Sequence, residues 1–295
     1  MIKLFESYKS QRELEKLAKD ILYKIATEAY RVFDGGRIKI EWFPYIKLGS
    51  VYNDFDELKN FIIAEKNIDI CILTNNDLDG TTFSNDSAGK YIDDGNKKMI
   101  LLRRKDYTLE KINDELKTKH MYKGNPIRAI RDYIYRDYKS TLIHELEHAF
   151  DDWRSGGNAF KQQDDKYIKN NKEYNQLKTI NFEELKEEER EFIGKHYKEY
   201  LNLKHEVAAH FTQAVSNINF YELDFDLSIE QNKNVHSIKP FKEVKRNFQM
   251  KFSNFRFLKD KERWRVLRKL GQFYEMEKDF VKELNSKEKE WKKIS

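Results

Sequence analysis

Cysteine occurs once in 295 residues, so no disulfide can form within the chain. That residue, Cys71, sits inside the apolar run IDICILT and reads as a small buried hydrophobe. Proline is scarce, at three residues, while Lys, Asn and Ile abound; this bias carries no mechanism. No window approaches the roughly eighteen consecutive apolar residues of a membrane span, which argues against a membrane partner. The start MIKLFESYKSQRELEK has no apolar signal-peptide core, so a cytoplasmic location is expected. An excess of one charge sign is also missing. The 56 Lys and Arg against 51 Asp and Glu leave only +5, too balanced to imply a nucleic-acid coat. What is present is 39% hydrophobic and 14% aromatic residues, enough to bury a sizeable core in a single large domain.

The apolar pattern orders the chain. Over residues 9–33, Leu14, Leu17, Ile21, Ile25, Ala29 and Val32 recur at spacings of three and four before Gly35-Gly36, which predicts one helix. RIKIEW (37–42), IDICILT (68–74) and KKMILLRR (97–104) predict strands. The Asn-, Asp-, Ser- and Gly-rich stretch between the last two predicts a loop, with an edge strand at Thr81–Phe83. This N-terminal helix and sheet part, about 1–125, leads into a helix over about 126–155 that a Gly156-Gly157 stop ends. A polar insertion follows over about 158–199 with one charged helix. A further helix is expected over 200–218, carrying Leu203, Val207, Phe211 and Ala214 on one stripe, and a helical C-terminal part over about 241–291. No internal repeat is visible.

The chemistry concentrates at His144-Glu145-Leu146-Glu147-His148. On a helix, positions four apart lie about 40° from one another, so His144 and His148 can put two imidazole nitrogens on one ion. Glu145, turned about 100° from His144, can take a proton from water at an open coordination position. Chance gives this pattern in under about 3% of chains of this composition, so a merely charged helix is the weaker reading. A catalytic zinc site takes three protein ligands, and the segment HEVAAH offers the third. There Glu206 and His210 are four apart on one face, with small Ala208 and Ala209 beside them, and spacing does not separate the two.

The pair of motifs, His144-Glu145-x-x-His148 and Glu206-x-x-Ala209, resembles the glutamate-ligand zincins. LIHELEHAFDDWRS, HEVAAHFTQ and KERWRVLRKLGQFYE together resemble metallopeptidases encoded by bacteriophages. The resemblance spans roughly residues 65–275 and is specific only at the two motifs. It implies an α+β zincin-like metalloprotease fold, in which a helix and a twisted sheet precede the active-site helix and an edge strand pairs to an extended peptide. It further implies Zn2+ on His144, His148 and Glu206, with His210 as a hydrogen-bond donor to the developing oxyanion. The sequence departs from the Asn-Glu-x-x-x-Asp motif of the thermolysin kind, because Asn202 lies four residues before Glu206 and position 210 is not acidic.

Asp151, three residues after His148, either orients a ligand imidazole or bonds Arg154 at the helix end. Glu147 reads as a solvated or ion-paired face, and His120, His196 and His236 have no partner at ligand spacing. Residues 241–270 carry eleven Lys or Arg against three acids, interleaved with aromatics, which invites a nucleic-acid reading. Val244, Phe248, Phe252, Phe255 and Leu258 at spacings of four, four, three and three instead predict one helix with an apolar core face and a wet basic face. The expected function is a zinc-dependent peptidase acting on a peptide or protein. Two alternatives stand beside it: a phage structural or host-interaction protein with a vestigial or structural zinc site, and a nucleic-acid-associated protein. Host cytoplasm or the virion is the expected location in the phage setting.

Overall fold

The computed structural model describes residues 8–34, 37–51, 55–73, 88–103, 126–157, 170, 173–174, 176–177, 180, 183–218, 220–223, 235–252 and 254–294. They form an α+β chain, mostly helical, with small sheets, falling into two compact units, Lys9–Lys161 and Gln162–Ser295. No helix among the described residues is long and apolar enough to cross a membrane.

The first unit opens with α1 (Tyr8–Glu28), whose Leu14, Leu17, Ile21 and Ile25 are fully buried on one face. The helix predicted to reach residue 33 ends at Glu28. The chain then extends as β1 (Tyr30–Asp34), antiparallel to β2 (Arg37–Trp42), because Tyr30, Val32 and Phe33 are residue types that favour strands. A second sheet has the order β3-β4-β6-β5, from β3 (Ile46–Lys47), β4 (Asp69–Leu73), β5 (Gly89–Asp93) and β6 (Lys98–Arg103). A short helix, α2 (Lys59–Ala64), precedes β4. Strands β4 and β6 are parallel, with Ile70 beside Ile100 and Ile72 beside Leu102; the other pairs are antiparallel.

The strand period of two sorts these side chains to opposite faces. Ile70, Ile72, Ile100 and Leu102 join the main core, whereas Cys71, Leu73 and Leu101 form a small cluster of their own. Burial pushes the Cys71 thiol up to about 12, as befits a packing residue. The strand expected at Thr81–Phe83 lies outside the described residues. Within the stretch read as loop, the described strand is β5, at the sheet edge.

The long helix α3 (Pro126–Arg154) contributes Ile130, Ile134, Tyr138, Leu142, Leu146 and Ala149 to the same core. It starts on a proline, where the missing N–H costs nothing, and stops at two glycines with φ of 64° and 77°. The Gly157 N–H donates to the Asp152 carbonyl at 2.9 Å, closing a Schellman-type end.

The second unit has its own core. The charged helix expected within 158–199 is α4 (Glu187–Leu201), the helix predicted over 200–218 is α5 (Lys204–Ser216), and Asn202-Leu203 separates the two. Asn202 stabilises the break. Its amide donates to the Lys198 and Phe257 carbonyls and its carbonyl oxygen accepts the Lys259 N–H at 2.8 Å, offering the backbone an alternative to helix. A hairpin of β7 (Tyr221–Leu223) and β8 (Val235–Ile238) leads to α6 (Phe241–Lys251), a 3-10 turn at Phe255–Phe257 and α7 (Asp260–Ile294). Val244, Phe248, Phe252 and Leu258 are buried with Val207, Phe211, Val266, Leu270 and Phe273. The aromatic stripe is therefore a core, as its spacing suggests, but it continues from α6 through the turn instead of along one helix.

Candidate metal centre

His144 and His148 stand one turn apart on α3, and their Nε2 atoms face one another at 3.1 Å. Two nitrogens at about 2.0–2.1 Å from one tetrahedral zinc are about 3.3–3.4 Å apart, so this separation is close to what a shared ion requires. His148 is buried and His144 half-buried, in a stretch of the helix, 142–152, whose other residues are buried. Ligand atoms of His144, His148 and Glu206 all lie within 4.8 Å of one another, the one such group among the described residues that could hold a metal ion. Two imidazoles and a carboxylate fit a divalent cation such as zinc, and the negative carboxylate offsets part of its charge.

Glu206 lies in the first turn of α5 and is 3% exposed. Its carboxylate oxygens stand 3.7 Å from His205 Nε2 and 4.0 Å from His210 Nε2. His210 is outside the ligand group. Its Nδ1 meets Gln213 Oε1 at 3.2 Å and its Nε2 meets Asn254 Nδ2 at 3.1 Å, so both ring nitrogens are engaged within the second unit.

Glu145 is 6% exposed, and its Oε2 accepts the backbone N–H of Tyr91, on the edge strand β5, at 2.7 Å. That hydrogen bond fixes the position of the carboxylate beside the first histidine. The helix and strand approach closely because β5 starts on a glycine. A Cβ on Gly89 would lie 2.5 Å from Thr141 Cγ2 and 3.1 Å from Glu145 Cγ and Oε1.

The Tyr91 hydroxyl reaches the same helix two turns on, donating to Asp152 Oδ2 at 3.2 Å. Burial and the Asp152 charge push the Tyr91 phenol up, so it stays a donor. Lys98 Nζ completes the cluster, 3.0 Å from Glu65, 3.6 Å from Asp93 and 3.6 Å from Asp152. Asp151 is buried; desolvation raises its carboxyl to about 6, while His148 pulls the other way.

Glu147, expected on a wet or ion-paired face, is 2% exposed, which removes the solvated reading. His196 is buried against Tyr174 and Phe192, in a packing role. His120 and the side chain of His236 lie outside the described residues. Sequence reasoning missed Tyr91, Asp152 and Lys98. The Tyr91-Ile92 pair inside a glycine- and aspartate-rich stretch was the one signal for β5, and the ion cluster depends on tertiary placement alone.

No protein-family model, curated protein or solved structure matches the chain.

Proposed function

We propose that the chain is a zinc-dependent metallopeptidase of the zincin-like, glutamate-ligand kind. The observation that carries this reading is the convergence of His144, His148 and Glu206, with the buried carboxylate of Glu145 one residue from the first ligand. When bound there, zinc supplies a Lewis acid that polarises a carbonyl and brings the pKa of a coordinated water toward about 7. Glu145 takes the proton of the attacking water and returns it to the leaving amine. The Tyr91 amide fixes the position of that carboxylate. β5 is a sheet edge, and an extended peptide can add to it by the backbone groups other than the Tyr91 N–H, which Glu145 takes.

Glu145→Gln tests the assignment. The amide oxygen can still accept the Tyr91 N–H, and all three ligands remain, so zinc content and melting temperature should match the wild type. Peptide hydrolysis should fall about 100- to 10,000-fold, the usual range for a lost general base. Turnover near the wild-type rate at matched metal content would remove Glu145 from this role.

A further inference from the structure

One of the chain's basic segments lies in the C-terminal part. Residues 241–270 hold eleven of the 56 Lys and Arg but only three of the 51 acids, a net of +8. The remainder therefore carries 45 basic and 48 acidic side chains, a net of −3. The three acids in the segment are already in ion pairs, Glu243 with Lys239, Asp260 with Arg263 and Glu262 with Arg265.

Helix geometry arranges part of the surplus. At about 100° per residue, Lys261, Trp264 and Arg268 fall within about 60° of one another on α7, opposite Val266 and Leu270, which are fully buried. Lys261 and Arg268 are exposed, as are Arg256 and Lys259 just before the helix. Between the two cations stands Trp264, 77% exposed, the most exposed of the large apolar side chains described.

We infer that this face of α7 binds single-stranded nucleic acid. Lys261 and Arg268, with Arg256 and Lys259, neutralise backbone phosphates, and the Trp264 indole offers a flat surface on which an unpaired base stacks. A duplex hides its base faces from such an indole. A lipid surface would need a broad apolar face, and that of α7 is committed to the core through Val266, Leu270, Phe273 and Tyr274. The inference does not depend on the metal centre.

Fluorescence anisotropy of a dye-labelled oligodeoxythymidylate, titrated with the full-length chain over a series of potassium chloride concentrations, tests it. Affinity should fall with salt. Lys261→Ala combined with Arg268→Ala should flatten the log–log salt slope by about 1.4, at roughly 0.7 for each phosphate no longer neutralised. Trp264→Ala should weaken binding roughly 5- to 150-fold with the slope unchanged, the range for removing one aromatic platform from under a base, and Trp264→Phe should recover part of it. All three side chains point to solvent, so melting temperatures should stay at the wild-type value. Unchanged affinity in Trp264→Ala, equal affinity for the duplex, or binding to phosphatidylserine vesicles without binding to the oligonucleotide would each overturn the inference.

Discussion

Two residues that spacing left equivalent, Glu206 and His210, differ in what surrounds them. Glu206 shares a 4.8 Å group with His144 and His148, whereas both His210 nitrogens meet amide side chains, Gln213 and Asn254. An oxyanion donor needs an N–H to spare, so that role would require His210 to release one of these bonds. The consequence for metal binding is separable. Glu206→Ala should lower zinc affinity by more than about 100-fold, beyond the loss typical of residues behind the ligands, and should bring the melting temperature to that of the chelated protein. His210→Ala should still bind one zinc. Titration of both variants with a competing zinc indicator reads this directly, and the reverse ranking would replace the carboxylate ligand by a third histidine.

At the scale of elements, the decisive contact joins α3 to the edge strand β5. The Tyr91 amide holds Glu145 and its hydroxyl holds Asp152, two turns further along the same helix face. Gly89 lets the backbones meet. Gly89→Ala would place a methyl 2.5 Å from Thr141 Cγ2, so stability should fall by about 1–3 kcal/mol, as overpacking does. Thr141→Ser removes that Cγ2 and should recover part of the loss in the double variant. Urea unfolding of the four proteins checks the coupling; strictly additive effects would mean that this pair of side chains does not limit the approach.

Much of α3 was legible beforehand, because its apolar period, its histidine spacing and its double-glycine stop all lie within thirty residues of sequence. Strand β5 was not, since five residues in a stretch rich in Asn, Asp and Gly carry no clear alternation. The break at Asn202 was hidden for another reason: two of its three partners, Phe257 and Lys259, lie more than fifty residues away. The same holds for Glu13, whose carboxylate accepts the N–H groups of Asp56, Glu57 and Leu58 at the start of α2.

Over the whole molecule, charge and packing divide the chain in different ways. Each compact unit has its own apolar core, the first built on the sheet with α1 and α3, the second on α5, α6 and α7. The aromatic stripe of the C-terminal part belongs to that second core, and the basic side chains of the same segment lie outside it. Helix geometry in HExxH made two of the three groups that could hold a metal legible as a pair, whereas the third, some sixty residues on, was singled out from His210 by the resemblance and not by spacing. Metal content is thus the most direct measurement. Inductively coupled plasma mass spectrometry of the chain, purified without chelators, should find one zinc per molecule, and chelation should remove it together with a drop in melting temperature. A chain that carries no metal, takes up none on dialysis against zinc and melts at the same temperature with and without chelator would contradict the proposed centre.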